Sequence, residues 1–444
     1  MIDDKPQDGN QSYTGGTYRA REIINTCIKC GCCNDICPTF NILEDELDSP
    51  RGRINLIKDM IETDRAADAE TVAHIDRCLS CNACLTACPS DVDYMHLIDF
   101  ARVHIEETYR RPLLDRFVRN MLARTLSDPD RFSQAMKLGR PFRGVAPLLK
   151  TIAPLKPLAA LLDSIPAQRS QNGVAKGTHA AVGEPQKKVL IPSGCVQQAL
   201  DSEIDRAAVN LLQHVGVEVI LPDGDGCCGA LVLHLGKSDL ALDQARNNVD
   251  TWYPLIDEGL DAIVITATGC GTTIKDYGHL FRDDPDYRDR AQKISEIAVD
   301  VTEFLTSIDL PKPVTKPKLK VAYHAACSLQ HAQKILNDPR KMLLKAGFKQ
   351  VRPEKEHMCC GSAGTYSILQ SELSAQLQKS KVDALEATGA SVITAGNIGC
   401  LQHIRADTKL PVIHIVRLLN WSYTGEKPDE IVEVDVHGIE LGAD

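Results

Sequence analysis

The sequence has few aromatic residues and no long uninterrupted hydrophobic run. Aromatic side chains make up 5% of the 444 residues, and the longest largely apolar segment, residues 145–165, is interrupted by Lys150, Lys156 and several prolines. A helix that crosses a bilayer needs about 18–20 consecutive apolar residues. The sequence therefore predicts no transmembrane segment.

An excess of basic charge is also lacking. The chain has 50 Lys and Arg against 60 Asp and Glu, which gives a formal net charge of −10. Proteins that follow the phosphate backbone of nucleic acids carry a surplus of basic residues, so we expect no nucleic-acid partner. Residues 1–21 lack the apolar run of a secretory signal peptide, which predicts a cytoplasmic protein.

Cysteine is abundant, with 17 residues in the chain. Nine lie between Cys27 and Cys88, and the other eight lie between Cys195 and Cys400. In a reducing compartment, so many thiols are more typical of metal binding or redox chemistry than of disulfide bonds. Their spacing decides between these uses.

The first nine cysteines contain one motif twice. Cys27 begins a C-x2-C-x2-C-x3-C-P run that ends at Pro38, and Cys78 begins a second run that ends at Pro89. In ferredoxins with two cubane clusters, three cysteines of such a run bind one [4Fe-4S] cluster and the fourth binds the other. The predicted ligands are Cys27, Cys30, Cys33 and Cys88 for the first cluster, and Cys78, Cys81, Cys84 and Cys37 for the second.

Zinc is the alternative metal for pairs of cysteines at this spacing. A tetrahedral zinc ion uses four ligands, which would leave the third cysteine of each run and the Cys-Pro ending without a role. Cys32 stands outside the motif and is either a small buried neighbour or a spare thiol. Two [4Fe-4S] clusters would provide two one-electron carriers and would not themselves break a substrate bond.

The other eight cysteines belong to an internal repeat. In each copy, one cysteine precedes a Cys-Cys-Gly sequence by the same interval, and a Gly-Cys follows. The shift along the chain that places Cys195 on Cys327 also superposes the apolar runs, which predict strands. Strands that alternate with helical stretches indicate two copies of one α/β unit with largely parallel strands. The predicted strands are residues 189–191, 217–221, 263–265, 321–323 and 392–393.

Three chemistries fit the repeat thiols: a further iron-sulfur cluster in one or both copies, redox-active thiols, or structural zinc and plain buried cysteine. The first set is Cys195, Cys227, Cys228 and Cys270, and the second is Cys327, Cys359, Cys360 and Cys400. The nearby histidines are predicted to be packed or capping residues rather than ligands: His234, His324, His331, His357, His403 and His414. Gln198 and Gln330 each lie three residues after the first cysteine of their copy. The favoured interpretation places them on helix surfaces, and the alternative is a role as hydrogen-bond donors beside the metal ligands.

Motifs for nucleotide cofactors are absent. There is no G-x-G-x-x-G after a strand, no Walker loop and no nucleophile triad, so we expect no FAD, NAD or ATP on this chain. The basic run at residues 110–119 is interleaved with leucine and phenylalanine. It is a candidate for contact with a partner or, peripherally, with the inner face of the cytoplasmic membrane, although a solvated face of a packed helix is the favoured interpretation.

These patterns predict an α+β protein in which a helical ferredoxin-like domain precedes two α/β cysteine-rich domains. The predicted boundaries are a flexible arm at 1–21, a two-[4Fe-4S] ferredoxin-like domain at 22–110, a helical extension at 111–165, a linker at 166–186, the first cysteine-rich domain at 187–310, a linker at 311–317, the second cysteine-rich domain at 318–425 and an acidic tail at 426–444.

Several segments resemble the iron-sulfur subunits of bacterial glycolate oxidase (glycolate dehydrogenase). The resemblance covers about residues 22–425 and includes both cysteine-rich repeats. The segments are 27–39 (CIKCGCCNDICPT), 45–53 (DELDSPRGR), 226–231 (GCCGAL), 269–272 (GCGT), 275–279 (KDYGH), 323–331 (YHAACSLQH), 359–366 (CCGSAGTY) and 395–400 (AGNIGC).

The resemblance implies an electron-transfer subunit that works with FAD-containing dehydrogenase subunits. These partners would oxidise glycolate to glyoxylate, and this chain would pass the electrons to an acceptor other than NAD, expected to be quinone. The repeats resemble the CCG domains of heterodisulfide reductase and of related lactate and glycerol-3-phosphate dehydrogenase systems. In heterodisulfide reductase the last element is C-x2-C, whereas here Thr273 and His403 occupy the final cysteine position.

Other functions remain open at this point. The chain is alternatively the equivalent subunit of a lactate or glycerol-3-phosphate dehydrogenase. A second alternative is a thiol-disulfide reductase that uses a paired-cysteine repeat as its reaction centre. A third is a non-catalytic protein stabilised by structural zinc, which would contain no reducible group.

Overall fold

A computed structural model of the chain describes residues 16–145 and 173–431, with the isolated positions 148–149, 159 and 162 between them. Residues 1–15, the end of the predicted helical extension, the start of the predicted linker at 166–186 and residues 432–444 of the predicted tail lie outside the described residues. The first helix begins at Gly16, so the last part of the predicted arm is helical.

The N-terminal part is built of helices, as predicted. They are α1 (Gly16–Thr26), α2 (Pro38–Leu43), α3 (Pro50–Glu62), α4 (Ala69–Asp76), α5 (Ala83–Ala87), α6 (Tyr94–Thr108), α7 (Leu113–Leu126) and α8 (Pro129–Gly139), with 3-10 turns at Glu46–Asp48 and Arg140–Val145. The Ser49 hydroxyl accepts a hydrogen bond from the Gly52 amide and Pro50 takes the first position of α3, so the Ser-Pro pair begins a helix.

The two cysteine-rich repeats are mixed helix and strand. The strands are β1 (Gly177–His179), β2 (Lys187–Leu190), β3 (Val217–Leu221), β4 (Ala262–Ile265), β5 (Ala298–Asp300), β6 (Lys320–Tyr323), β7 (Lys349–Val351), β8 (Val392–Ala395) and β9 (Val412–His414).

The helices of the first repeat are α9 (Val196–Leu200), α10 (Glu203–His214), α11 (Ala230–Leu233), α12 (Ser238–Asp257), α13 (Thr268–Lys275), α14 (Tyr277–Leu280), α15 (Arg288–Ile297) and α16 (Val301–Ser307). Those of the second are α17 (Asp338–Lys345), α18 (Tyr366–Leu369), α19 (Ser371–Glu386), α20 (Ile398–Arg405) and α21 (Ile415–Thr424), with a π turn at Ser328–Ala332 and a final 3-10 turn at Asp429–Ile431.

The two sheets have the same parallel core. The first sheet has the order β1-β3-β2-β4-β5 and the second has the order β7-β6-β8-β9. All pairs are parallel except β1 with β3, which is antiparallel. Removing β1 makes the two orders equivalent, so the repeat seen in the sequence is a repeat of fold.

In both sheets the chain reverses its winding at the central strand, β2 or β6, and ligand sites of such sheets lie at the carboxyl ends of the strands. The repeat cysteines follow the carboxyl ends of β2, β3 and β4 in the first copy and of β6, β7 and β8 in the second. Each copy therefore gathers its thiols at one edge of its sheet.

The carboxyl edges of the two sheets face each other. A His414 ring nitrogen lies 2.9 Å from the carbonyl oxygen of Thr266, the Thr268 amide donates to the carbonyl of Gly396, and the Thr268 hydroxyl lies 2.7 Å from that of Ser328. One hydrophobic core includes buried residues from both repeats. The two sets of cysteines consequently lie on either side of a shared interface.

The predicted linker at 166–186 and the predicted acidic tail both contain ordered structure. β1 lies within the predicted linker and is a short, largely exposed strand that pairs with β3. Ile431, in the predicted acidic tail, is 3% exposed and packs into the shared core, while Glu430 forms an ion pair with Arg417. Tertiary pairing explains both departures from what the local composition suggests.

The basic run at residues 110–119 is not a uniformly solvated charged face. The side chains of Arg111 and Arg119 are 7% and 8% exposed because both form ion pairs with Asp76, whereas Leu113 and Phe117 are 85% and 64% exposed.

None of the described helices combines the length and hydropathy that crossing a bilayer requires.

Candidate metal centres

The cysteines predicted to bind the first cluster surround a small cavity. Cys27, Cys30, Cys33 and Cys88 line a partly open cavity of about 30 Å³, together with Cys84 of the second set. Gly31 has φ +83°, and a side chain there would meet the Arg51 guanidinium 2.6 Å from its β-carbon, so glycine permits the tight loop. Burial raises the pKa of the Cys33 thiol to about 11. Metal binding at this thiol must therefore displace a tightly held proton.

The cysteines predicted to bind the second cluster also converge. Burial raises the pKa of Cys84, and the other charges acting on it are led by Cys81, Cys78 and Cys37. Cys33 acts on the same thiol, so the two groups are neighbours. Cys37 is the N-cap residue of α2, and Pro38 begins that helix. The thiols of each predicted set therefore lie near one another, and the two sets are in contact.

Polar side chains reach the sulfur atoms of the second group. The Tyr94 hydroxyl donates to Cys78 Sγ at 3.7 Å, and an Arg53 Nη1 lies 3.9 Å from Cys37 Sγ. Arg53 is 1% exposed; its Nη2 donates to the Thr39 hydroxyl and to Asp48, and its Nε donates to the His74 carbonyl. A buried guanidinium is suited to balance the negative charge of a thiolate-bound cluster. Sequence analysis missed both residues because nothing near them in the chain marks their position beside sulfur.

The four thiols of the first repeat form a contiguous chain. Cys227 makes hydrogen bonds with Cys195 and Cys228, and Cys228 makes a further one with Cys270. The hydrogen bonds from Cys195 and Cys228 lower the pKa of Cys227. The same hydrogen bonds raise the pKa of Cys195 and of Cys228. This arrangement favours one thiolate, at Cys227, among three thiols.

The four thiols of the second repeat are connected in the same order. Cys359 contacts Cys327 and Cys360, and Cys360 contacts Cys400. All four are at least nine-tenths buried. The Asn397 side-chain amide donates to Cys400 Sγ at 3.3 Å. Both repeats therefore bring their predicted cysteines together, as the internal repeat of the sequence implies.

A large cavity separates the two sets of repeat thiols. Its volume is about 1410 Å³, and cysteines of both repeats line it together with Cys81. Cys81 also packs with Leu79, Cys327 and Cys359 in one hydrophobic cluster. The second ferredoxin-type group thus touches the second repeat directly.

Most predicted histidines have the packed roles expected of them. His331 lies 2.9 Å from the Thr86 hydroxyl and 3.1 Å from the His357 carbonyl oxygen, and His403 lies 3.2 Å from the Ser374 hydroxyl. His414 caps α21. His324 differs, because neither of its ring nitrogens has a hydrogen-bond partner among the described residues and one of them lies close to two cysteines of the second repeat.

One predicted polar position differs from the structure, and the structure decides between two alternatives for another. Gln330 is 6% exposed and donates to the Ala325 carbonyl, so its predicted place on a helix surface is wrong. In the first repeat the buried glutamine is Gln197, which donates to Thr266 and Asp205. Cys32 is exposed and contacts Cys30, which excludes the buried-neighbour role and leaves that of a spare thiol.

The ferredoxin-type domain and the first repeat meet at a charged histidine. His96 on α6 lies 2.5 Å from an Asp93 oxygen and 3.1 Å from an Asp276 oxygen, and it stacks on His279 at 3.5 Å. Burial lowers the pKa of His96, but the hydrogen bonds to Asp276 and Asp93 outweigh it and raise the pKa to about 10. The imidazolium consequently joins carboxylates of both parts of the chain.

Comparison with protein families divides the chain in the same way. Residues 26–93 match the 4Fe-4S dicluster domain, and residues 189–275 and 321–405 each match the cysteine-rich domain called CCG. These matches contain all the cysteines of both ferredoxin-type runs and of both repeats.

Full-length relatives carry a consistent description. The chain is 36% identical over 400 residues to the glycolate oxidase iron-sulfur subunit of Escherichia coli, covering 90% of this chain and 94% of the relative. It is 29% identical to the probable glycolate oxidase iron-sulfur subunit of Bacillus subtilis, covering 90% and 93%. Lactate utilization protein A of Bacillus licheniformis is 29% identical, covering 52% of this chain and 99% of the relative.

A solved structure shares the fold. A hypothetical protein from Helicobacter pylori superposes with a TM-score of 0.55 at 10% identity, covering 92% of this chain and 73% of that chain. At this identity the likeness concerns the fold alone.

Proposed function

Because this chain belongs to the family of glycolate oxidase iron-sulfur subunits, we propose that it is the electron-transfer subunit of a flavin-dependent glycolate dehydrogenase. It accepts electrons from FAD-containing partner subunits that oxidise glycolate to glyoxylate. It delivers them to an acceptor other than NAD, for which quinone is our candidate. It binds no FAD or NAD itself and does not oxidise glycolate alone.

The convergence of two adjacent groups of four cysteines is the observation that carries this proposal. Cys27, Cys30, Cys33 and Cys88 are proposed to hold one [4Fe-4S] cluster, and Cys78, Cys81, Cys84 and Cys37 to hold the other. Bound there, the clusters supply two one-electron carriers. The helices around them form one buried hydrophobic core that includes Cys78 and Cys84.

The different exposure of the two groups supports a direction for the relay. Around the first group, Cys30 is exposed and Ile28 is 68% exposed, so this side is open to a partner protein. Around the second group, Cys81 is packed against Cys327 and Cys359 of the second repeat. We infer that electrons enter at the first group and leave through the second toward the repeats.

The substrate of the complex is a property of the partner subunits. The lactate utilization relatives match about half of this chain, which makes a lactate dehydrogenase subunit the second candidate. Glycerol 3-phosphate is the third substrate to test.

Reconstitution with the flavoprotein subunits tests the function. The complex should reduce a quinone analogue with glycolate faster than with lactate or glycerol 3-phosphate, and the isolated chain should show no turnover. A Cys84→Ser chain should support little quinone reduction in the same complex, because the relay loses a ligand between its two ends. Turnover of glycolate by the isolated, flavin-free chain would contradict the assignment of roles.

Membrane contact is a separate proposal, carried by one face of α7. Leu113, Leu114 and Phe117 are exposed there, next to the basic residues Arg110 and Arg116. Apolar side chains beside basic ones suit the surface of an anionic membrane. Binding of the chain to vesicles of anionic lipid should fall at least several-fold in a Leu113→Glu, Phe117→Glu variant, and equal binding would remove this proposal.

A further inference from the structure

The two repeats differ beside their thiols, although their strands and cysteines correspond. His324 follows β6 and precedes Cys327 by three positions. The corresponding residue of the first repeat, which precedes Cys195 by three positions, is Pro192. Proline has no side-chain ligand atom, so one repeat has a nitrogen donor where the other has none.

The imidazole of His324 is buried without a hydrogen-bond partner. Its side chain is 1% exposed, and neither ring nitrogen makes a hydrogen bond among the described residues. Burying an unpaired polar group costs free energy, so such an atom calls for an explanation. One of its nitrogens, Cys360 Sγ and Cys400 Sγ lie within 4.8 Å of one another. Imidazole and thiolate together are ligands for iron and zinc.

A buried lysine accompanies these donors. Lys381 is 3% exposed, and its ammonium donates to the carbonyl oxygens of Lys355 and Glu356. Burial lowers the pKa of Lys381, whereas the thiolate forms of all four cysteines of the second repeat act to raise it and so favour the ammonium. The matching part of the first repeat has the uncharged residues Asn248 and Val249. A fixed positive charge beside four thiols suits an anionic metal centre.

The position of the second repeat favours iron-sulfur chemistry over zinc. Its four thiols and one imidazole are more donors than one tetrahedral zinc ion uses, whereas a cluster can bind different donors through different irons. The second repeat also lies against Cys81 of the second ferredoxin-type group, which is the place for a further electron carrier.

We propose that the second repeat holds an iron-sulfur centre in which His324 is a nitrogen ligand alongside Cys360 and Cys400, with Lys381 balancing its charge. The first repeat, which has Pro192 at the place of His324 and uncharged residues at the place of Lys381, does not hold the same centre. The place of this centre in electron transfer rests on the function proposed above, but the ligation by His324 does not.

The test uses the full-length chain, purified anaerobically from cells grown with ¹⁵N-labelled or unlabelled histidine. Pulsed EPR of the iron-sulfur signals reports nitrogen bound to iron, and the ferredoxin-type cysteines provide no such nitrogen. We expect a strong histidine-nitrogen coupling in the wild type that changes with the isotope. His324→Ala should lose the coupling and about one third of the iron, from about twelve to about eight atoms per chain.

Two further variants keep the result independent of folding. His324→Cys replaces the nitrogen by a thiolate, so it should keep the iron while losing the nitrogen coupling. His331→Gln, a buried histidine of the same repeat whose nitrogens contact Thr86 and His357, should change neither. The EPR signals of the two ferredoxin-type clusters verify folding in every sample.

Three results would overturn the proposal: full iron content and unchanged coupling in His324→Ala, absence of histidine-nitrogen coupling in the wild type, or zinc in place of iron in the second repeat. Failure of glycolate oxidation in the reconstituted complex would affect only the proposed function, because the nitrogen coupling is measured without a partner or substrate.

Discussion

At the scale of single residues, position in the motif separates predicted ligands from neighbouring cysteines. Cys32 and Cys33 are adjacent in the chain, yet Cys33 lines the first cavity beside Cys27, whereas Cys32 is exposed at the surface. Spacing alone distinguished them, because only Cys33 fits the C-x2-C-x2-C pattern.

Replacing these two cysteines gives the most controlled test of that distinction. Cys33→Ser should remove one ligand of the first cluster and lower the iron content by about four atoms per chain. Cys32→Ser should leave the iron content and the EPR spectrum unchanged. Iron and acid-labile sulfide analysis measures the cluster content of each variant. Equal losses in the two variants would contradict the ligand assignment.

Arg53 is the residue whose role the sequence conceals most. It is buried at 1% exposure, beside Cys37 and the carboxylate of Asp48. A positive charge near a cluster favours its reduced, more negative form. Arg53→Met should therefore shift the potential of the second cluster to more negative values, and it should destabilise the chain by about 2–4 kcal/mol because Asp48 loses a buried partner.

A redox titration followed by EPR measures the shift in potential. Arg65→Met is the control, since Arg65 belongs to the same domain but pairs with Asp59 and Asp68 at the surface. An unchanged potential in Arg53→Met would show that the guanidinium serves packing alone.

At the scale of elements, one contact between α6 and the first repeat is sensitive to pH. The pKa of His96 is about 10 in the folded protein, against about 6.5 for an unperturbed histidine. The folded state thus holds the proton more tightly. Its stabilisation is complete below about pH 6.5 and is lost as the pH rises through about 10.

His96→Gln should remove this dependence. We expect the variant to lose about 1–2 kcal/mol of the free energy of unfolding at pH 6, with a smaller loss at pH 10. His104→Gln is the matched control, because His104 lies on the same helix and its ring nitrogen contacts the Arg65 carbonyl of the same domain. The measurement is the denaturation midpoint of each protein across this pH range. If the midpoints of His96→Gln and the wild type change in parallel with pH, the account is contradicted.

Strand prediction succeeded where apolar runs were long enough to carry a signal. β2, β3, β4, β6 and β8 were expected from such runs, whereas β1, β5, β7 and β9 were not. The missed strands are the shortest ones, and β1 and β7 are at least partly exposed, so neither length nor alternation marked them. β7 could nevertheless have been predicted from the internal repeat. The shift that places Cys195 on Cys327 also places Val217, the first residue of β3, on Lys349, the first residue of β7.

At the scale of the whole molecule, the order of domains and the grouping of cysteines followed from the sequence. Motif spacing and an internal repeat are patterns that can be recognised without knowledge of the fold. The contact of Cys81 with the second repeat, the facing sheet edges and the burial of His324 were not predictable, because they join segments that are distant along the chain or depend on packing around a single side chain.

The whole molecule therefore has a continuous line of thiol groups, from the exposed first group through the second group to the second repeat. This line is the central claim, and metal content with EPR of the dithionite-reduced, anaerobic chain tests it most directly. The account predicts iron and acid-labile sulfide in equal amounts, about twelve of each per chain, with the spectrum of interacting [4Fe-4S] clusters. Zinc without iron would contradict it.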